Sequence, residues 1–216
     1  MTLAFEIYWS MRSPYCYLAL DRILDLRAKY DVQADLRIVY PVAVRNPDFF
    51  SAAPKHYRPY HLLDSQRVAD SLGMPYRRPR PDPIAQDMQT NEIATKQPLI
   101  RRLTHLAAAA VEAGAGLEFQ DQVMRLIWDG RTDGWNDGNR LADAIGRAGL
   151  NPQSLENAIT ADPQHFERII EANQAGQLEA GHTGVPLFVF QGEPFFGQDR
   201  FDLLVWRLHQ NGLSLR

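Results

Sequence analysis

Residues 13–16 read Ser13-Pro14-Tyr15-Cys16, which has the outline of a Cys-x-x-Cys motif with serine in place of the first cysteine. Before this motif, apolar and polar residues alternate over residues 3–9, which is the period-two pattern of a strand. After it, apolar residues recur at helical spacing over residues 15–30. Ser13 stands where a helix N-cap is expected, and Pro14 occupies the first helical position. The motif is therefore predicted at a strand-to-helix junction.

A second alternating segment over residues 34–40 predicts another strand, so the chain begins with a βαβ unit. The two strands of such a unit are parallel and its crossover is right-handed. At the other end of the chain, residues 186–190 and 194–196 predict an antiparallel hairpin around Gln191-Gly192-Glu193. A last helix is predicted from Asp199 or Arg200 to His209. The chain thus ends in a ββα pattern.

The middle of the chain is predicted to be mostly helical. Residues 41–98 contain nine of the 14 prolines, which favours loops there, with one helix over residues 60–72. Further helices are predicted over residues 99–113, 117–128, 139–148, 152–159 and 163–180, with Asn151 and Asp162 capping the last two. The fold class is therefore α/β, a βαβ unit plus a ββα unit with a long, mostly helical insertion.

Composition excludes several classes of function. Charge is nearly balanced, with 23 Lys and Arg against 26 Asp and Glu, which argues against nucleic acid as a partner. The basic cluster Arg77-Arg78-Pro79-Arg80 is interpreted as solvated surface. No apolar run is long enough to cross a membrane, and the N-terminus carries no export signal, so we expect a cytoplasmic protein. A single cysteine and six scattered histidines argue against a metal site.

Motifs at the two ends of the chain carry a family resemblance. They are Ser13-Pro14-Tyr15 with Tyr17-Leu18-Ala19, Gly184-Val185-Pro186, and Phe195-Phe196-Gly197-Gln198-Asp199-Arg200. Together they resemble the 2-hydroxychromene-2-carboxylate isomerases and the related kappa-class glutathione transferases, which are DsbA-like proteins. The resemblance implies a thioredoxin fold, with residues 1–41 and 163–216 in the thioredoxin-like domain and residues 42–162 in an inserted helical domain. It also implies a homodimer.

The resemblance further implies that glutathione is the cofactor. A helix N-terminus presents unpaired N–H groups and a positive dipole end, which stabilise an anion such as a thiolate. In the resembled families Ser13 would be the catalytic residue that donates a hydrogen bond to the glutathione sulfur. Val185 and a cis Pro186 would bind the cysteinyl part, and Gln198 and Asp199 would hold the γ-glutamyl end. Asp199 is also suited to cap the last helix.

Other candidate residues have less defined roles. Cys16 occupies the position of the second cysteine of a redox motif, and a buried lone cysteine is normally inert, which favours a structural role. A mixed disulfide with glutathione stays open. Tyr40, Arg45, Asn46 and Tyr60 are candidates for the substrate pocket.

The resemblance implies a cis-trans isomerase for a small unsaturated aromatic carboxylate. The glutathione thiolate would add to a conjugated double bond, allow rotation about the resulting single bond, and leave. Two alternatives stay open. One is a DsbA-like thiol-disulfide oxidoreductase or a kappa-class-like glutathione transferase, and the other is a thioredoxin-fold protein that binds a partner without catalysis.

Overall fold

The strands at the two ends of the chain form one sheet. The computed structural model describes residues 2–87, 89–90 and 92–216. The strands are β1 (Leu3–Trp9), β2 (Val32–Ile38), β3 (Leu187–Phe190) and β4 (Glu193–Phe196), in the order β2-β1-β3-β4. β1 is parallel to β2 and antiparallel to β3, which in turn pairs with β4. This arrangement confirms the predicted βαβ unit and the predicted hairpin.

The helices occupy the segments between and after these strands. They are α1 (Pro14–Lys29), α2 (Val42–Arg45), α3 (Phe49–Ala52), α4 (Tyr57–Leu72), α5 (Pro98–Glu112), α6 (Gly116–Trp128), α7 (Arg140–Arg147), α8 (Pro152–Ala161), α9 (Pro163–Glu179) and α10 (Phe201–Gln210), with a 3₁₀ turn over Gln198–Arg200. The predicted caps are confirmed, because the side chains of Asn151 and Asp162 accept from Ser154 N–H and His165 N–H. None of the described helices is both long and apolar enough to span a bilayer.

Two parts of the predicted secondary structure are wrong in detail. The predicted strand was 34–40, but β2 begins and ends two residues earlier. Beyond its end, the Tyr40 N–H donates a hydrogen bond to the Gln174 side chain and not to a neighbouring strand. The proline-rich segment holds three helices instead of one. Pro59 does not prevent α4 from starting at Tyr57, since the first N–H groups of a helix need no intrahelical partner.

The sheet buries both of its faces. Phe5, Ile7 and Trp9 of β1 point into the main core with residues of α1, whereas Tyr8 points to the opposite face. α9 packs on that second face, where a Cβ added at Gly176 would lie 3.0 Å from the Tyr8 hydroxyl. The main core also contains apolar residues of α5, α6 and α7, so it continues from the thioredoxin-like part into the helical part. The domain division at residues 41 and 163 stays a prediction.

Candidate active site

The Ser13 side chain lies at the N-terminus of α1, as predicted. Its backbone is extended, with φ −93° and ψ 121°, and Pro14 follows at the first helical position. The Ser13 Oγ accepts a hydrogen bond from the Cys16 N–H at 3.3 Å and donates one to the carbonyl oxygen of Val185 at 3.4 Å. The N-cap is therefore also a contact between the first helix and the segment before β3.

Val185 and Pro186 are held against the start of α1. The Val185-Pro186 peptide bond is cis, which agrees with the expectation from the resemblance. The Pro186 carbonyl oxygen accepts from the Gly197 N–H at 2.9 Å, so the hairpin β3–β4 fixes this segment from its other side. The backbone of Val185 thus faces Ser13 at the end of the two central strands, β1 and β3.

A cavity of about 440 Å³ opens beside Ser13. Its walls come from the start of α1, from α2, α3 and α4, from the loop after α4, and from the segment before β3. The lining residues are Ser10, Arg12, Ser13, Pro14, Tyr15, Pro41, Val42, Ala43, Arg45, Phe49, Phe50, Tyr57, Arg58, His61, Arg78, Ile84, Gln86, His182, Thr183, Gly184, Val185 and Phe196. Aromatic rings make up much of this wall, and the described lining contains four arginines and no carboxylate.

The arginine side chains give the cavity a positive potential. Arg12 binds Asp82 through two hydrogen bonds of 2.6 Å, and Arg78 contacts the same carboxylate at 3.2 Å. Burial opposes ionisation of Asp82, but the charge and hydrogen bonds of Arg12, the hydrogen bond from the Ile84 N–H and the charge of Arg78 lower its pKa below the ordinary value. One carboxylate therefore pairs with two guanidinium groups, so this part of the wall keeps a net positive charge that suits an anionic ligand.

Arg45 lines the cavity without an acidic partner among the residues described. Its Nη1 donates to Gln177 Oε1 at 3.0 Å and its Nη2 donates to the Thr183 carbonyl at 2.7 Å. Burial lowers the pKa of the guanidinium, which stays charged at neutral pH. Arg45 therefore connects α2 to the chain immediately before Val185 and adds to the positive charge of the site.

Cys16 lies one helical turn inside α1 and is fully buried. Burial raises the pKa of its thiol to about 12, although hydrogen bonds from Ser10 and Ser13 act in the opposite direction. The thiol is therefore protonated at neutral pH, as expected for a structural cysteine. It does not line the described cavity.

The structure does not bring all of the candidate residues together. The Tyr40 hydroxyl donates to Glu167 at 2.8 Å and lies 3.0 Å from His105 Nε2, away from the cavity. Asn46 and Tyr60 are exposed and do not line it either. These three side chains were predicted for the pocket because of their place in the sequence. Tyr40 is held instead by Glu167 and His105, Asn46 follows the end of α2, and Tyr60 lies on the exposed side of α4.

Gln198 and Asp199 lie in the 3₁₀ turn before α10, outside the cavity wall. Gln198 accepts a hydrogen bond from Arg22 of α1, and Asp199 contacts Arg200 at 3.1 Å. The predicted capping role of Asp199 is wrong, because the last α-helix begins at Phe201 with no side-chain cap. The turn itself replaces the cap.

Several cavity residues were missed from the sequence. Arg12 directly precedes Ser13, which was a usable signal. Arg78 belongs to the cluster interpreted as solvated surface, but it is half-buried because it pairs with Asp82. His61 is one of the six scattered histidines that argued against a metal site, and its place in the wall depends on how α4 packs on α1, for which the sequence carries no signal.

Comparisons with known proteins agree with the fold described above. A search of curated proteins found no match. Among solved structures, a 2-hydroxychromene-2-carboxylate isomerase has a TM-score of 0.70 at 19% identity, covering 96% of this chain and 95% of the isomerase. A probable DsbA oxidoreductase from Streptomyces coelicolor has a TM-score of 0.66 at 20% identity, covering 96% of this chain and 89% of that chain.

The cytosolic disulfide reductase DsbM from Pseudomonas aeruginosa, solved with GSH, has a TM-score of 0.59 at 15% identity, covering 96% of this chain and 100% of that chain. At such identities these likenesses show the fold alone. The model of the "DSBA-like thioredoxin domain" family, however, matches residues 4–209, which is nearly the whole chain. With the thioredoxin sheet, the serine at the start of α1 and the cis Val185-Pro186 bond, the chain belongs to the family of DSBA-like thioredoxin domain proteins.

Proposed function

We propose that this protein is a glutathione-dependent cis-trans isomerase, which acts on a small unsaturated aromatic carboxylate through the glutathione thiolate. The observation that carries the proposal is the position of the Ser13 hydroxyl, 3.4 Å from the Val185 carbonyl at the edge of a cationic, aromatic cavity. A hydroxyl and a helix N-terminus stabilise a thiolate but supply no sulfur, so the sulfur comes from a bound thiol.

The proposed arrangement assigns a part of glutathione to each element. The sulfur lies at Ser13, and the backbone of Val185, before Pro186, pairs with the cysteinyl unit. Gln198 and Asp199 hold the γ-glutamyl end, where a carboxylate can pair with the ammonium group. Gln198 and Asp199 lie outside the cavity wall, so the γ-glutamyl end extends beyond the cavity, and the cavity beside Ser13, with Arg12 and Arg78 on its wall, takes the anionic second substrate.

In the proposed reaction the protein positions the two reactants and stabilises negative charge. The thiolate forms a C–S bond at one carbon of a conjugated double bond, and the π electrons move to the carbonyl oxygen. The former double bond rotates, the electrons return, and the thiolate leaves unchanged. Holding the thiolate and the double bond in contact supplies much of the rate enhancement. Because glutathione supplies the nucleophile, the cavity does not need one of its own.

A thiol-disulfide oxidoreductase is the second candidate, and the fold shared with disulfide reductases leaves it open. The buried state of Cys16 opposes it, since a thiol with a pKa of about 12 is almost entirely protonated at pH 7 and is a poor nucleophile. A glutathione transferase of the kappa-class type would use the same glutathione site. It would differ in releasing a conjugate instead of free glutathione.

Calorimetry and two assays test the proposal. We expect glutathione to bind to the wild-type protein, and 2-hydroxychromene-2-carboxylate to isomerise only when glutathione is present, with Cys16→Ser as active as the wild type. Absence of binding at millimolar glutathione would contradict the proposal and favour a non-catalytic binding protein. Reduction of insulin disulfides that disappears in Cys16→Ser would favour the oxidoreductase, and accumulation of a conjugate would favour the transferase.

Two further properties are proposed with this function. We expect the protein to be cytoplasmic, where reduced glutathione is abundant, and to form a homodimer. The exposed apolar side chains of Leu203 and Trp206 on α10, which are 50% and 51% exposed, are candidates for the dimer interface. Light scattering of the wild type and of Trp206→Glu tests this, since a dimer that uses this surface should dissociate in the variant.

A further inference from the structure

His61 is held in a fixed orientation inside the cavity. It lies on α4 and contributes to the cavity wall with Ser13. Its ring packs edge-to-face on Tyr15 of α1, with centroids 5.1 Å apart and an interplanar angle of 79°. On another side it stacks with Tyr57, at 6.4 Å and 29°. These two aromatic contacts support the ring on two sides, and one of them is with Tyr15, which follows Ser13 by two residues.

The polar atoms of His61 are not used by the surrounding protein. No hydrogen bond joins either ring nitrogen to a side chain or backbone group that the structure describes, although the residue is half-buried. The neighbouring tyrosine is engaged, since the Tyr15 hydroxyl donates to Asp64 at 2.6 Å. The His61 nitrogens are therefore available to a molecule in the cavity.

Burial, together with nearby positive charges, keeps the His61 ring neutral. Burial lowers the pKa of His61 to about 4, and the charges of Arg12 and Arg78 act in the same direction, while Asp64 opposes them. Arg58 also lines this side of the cavity. At pH 7 the imidazole is therefore uncharged, with one N–H donor and one acceptor nitrogen. An N–H donor in an environment of positive potential suits an oxygen that becomes negative.

We propose that His61 is a catalytic residue, which donates a hydrogen bond to the carbonyl oxygen of the unsaturated substrate. This inference rests on the proposed function. When the thiolate adds, the π electrons of the double bond move onto that oxygen, and the His61 N–H stabilises the enolate without giving up its proton. When the electrons return, the C–S bond breaks and the hydrogen bond weakens. The step needs no other reactant.

His61 suits this role better than the arginines beside it. Arg12 and Arg78 are held by Asp82, at 2.6 and 3.2 Å, so their guanidinium groups are positioned by the protein. The substrate carboxylate that their charges attract is ionised both before and after the thiolate adds, so this attraction favours binding more than rate. A single N–H that is directed at the developing charge lowers the barrier instead.

Two substitutions of His61 distinguish a catalytic role of this side chain from a structural one. His61→Phe keeps an aromatic ring between Tyr15 and Tyr57 but removes both nitrogens, and His61→Gln keeps an N–H donor. With 2-hydroxychromene-2-carboxylate and glutathione as the probes, we expect kcat of His61→Phe to fall roughly 100-fold. We expect KM to change little and the affinity for glutathione, measured by calorimetry, to stay within about twofold of wild type. His61→Gln should recover a substantial part of kcat.

The outcomes distinguish this inference from the proposed function. If glutathione binds, the wild type converts the probe, and His61→Phe keeps its kcat within about twofold, the role of His61 is wrong and the proposed function stands. The same conclusion follows if both variants lose glutathione affinity together, which indicates a structural role. If the wild type neither binds glutathione nor converts the probe, the proposed function fails and the inference fails with it.

Discussion

The Ser13 hydroxyl donates a hydrogen bond to the Val185 carbonyl oxygen at 3.4 Å, although 172 positions separate the two residues. They meet because β1, which leads into α1, pairs with β3, which follows Pro186. The sheet therefore brings a helix N-terminus and an extended backbone segment to one place. A peptide thiol such as glutathione can use both, one for its sulfur and the other for its backbone.

Replacing Ser13 tests the anion site directly. In Ser13→Ala we expect the thiol pKa of bound glutathione, measured from thiolate absorbance against pH, to rise by about one unit, because one charge-assisted hydrogen bond is lost. The lost N-cap should also lower the free energy of unfolding by about 1 kcal/mol. Ser13→Thr keeps the hydroxyl and should keep both properties. An unchanged thiol pKa in Ser13→Ala would show that the hydroxyl does not contact the sulfur.

Cys16 should be unreactive in the folded protein. We expect a thiol reagent such as DTNB to label it only in denaturant, because the side chain is fully buried and burial raises its pKa to about 12. In the unfolded chain the thiol has a pKa of about 8.5, so as pH rises it loses its proton in the unfolded state before it does so in the folded state. The stability that the protonated thiol contributes is therefore fully present at pH 7. It is lost as pH rises from the pKa of the unfolded chain to the native pKa of about 12.

The measurement is the free energy of unfolding of the wild type and Cys16→Ala as a function of pH. The difference between the two proteins should shrink from pH 8 towards pH 11 if the native thiol stays protonated. Rapid labelling of the native protein at pH 7 would instead indicate an accessible thiolate, as the oxidoreductase alternative requires.

Asp82 should stabilise the cavity wall. Removing its charge in Asp82→Asn leaves Arg12 and Arg78 without their shared carboxylate, and we expect a loss of about 3 kcal/mol in urea unfolding at pH 7. Because the native pKa of Asp82 lies below its ordinary value, this stabilisation is present above about pH 4 and is lost as pH falls through the native pKa. The difference between wild type and variant should therefore shrink in acid.

A matched control is Asp133→Asn, since Asp133 pairs with Arg77 but is 57% exposed. Exposed ion pairs contribute about 0 to 1 kcal/mol. Equal effects of the two substitutions would mean that the Asp82 cluster is solvated.

Gly184 should be required for the position of Val185. The rings of His182 and Phe196 stack at 3.7 Å, and a Cβ added at Gly184 would overlap both of them. In Gly184→Ala we expect the backbone before Val185 to shift and glutathione to bind about tenfold more weakly, which corresponds to about 1.4 kcal/mol. Phe196→Ala in the same chain removes the larger obstruction and should recover the affinity. Failure of this second substitution to do so would contradict the steric explanation.

Local sequence signals predicted the parts of the site that depend on neighbouring residues. Ser13 and Pro14 are a cap and a first helical residue whatever surrounds them, and the hairpin turn follows from Gln191 and Gly192, whose positive φ angles of 51° and 81° match the twist of the strands. The cis state of Pro186 came from the family resemblance and not from the chain alone.

The parts that depend on tertiary packing could not be predicted. Tyr40 and Tyr60 looked equivalent in the sequence, but one is buried against His105 and the other is 60% exposed. His61 enters the cavity only because α4 packs on α1 through Tyr15. Such contacts join residues far apart in the chain, and neither periodicity nor residue type indicates them.

The pairing of β1 with β3 has a consequence for biosynthesis. Glu6 pairs with Val189, so the centre of the sheet joins residues that are far apart in the sequence. A ribosome synthesises β1 and all the helices up to α9 before it makes β3, which pairs with β1. Closure of the sheet must therefore be a late, slow event. Until then the nascent chain exposes the open edge of β1, and a chaperone that recognises extended apolar segments would find its substrate there.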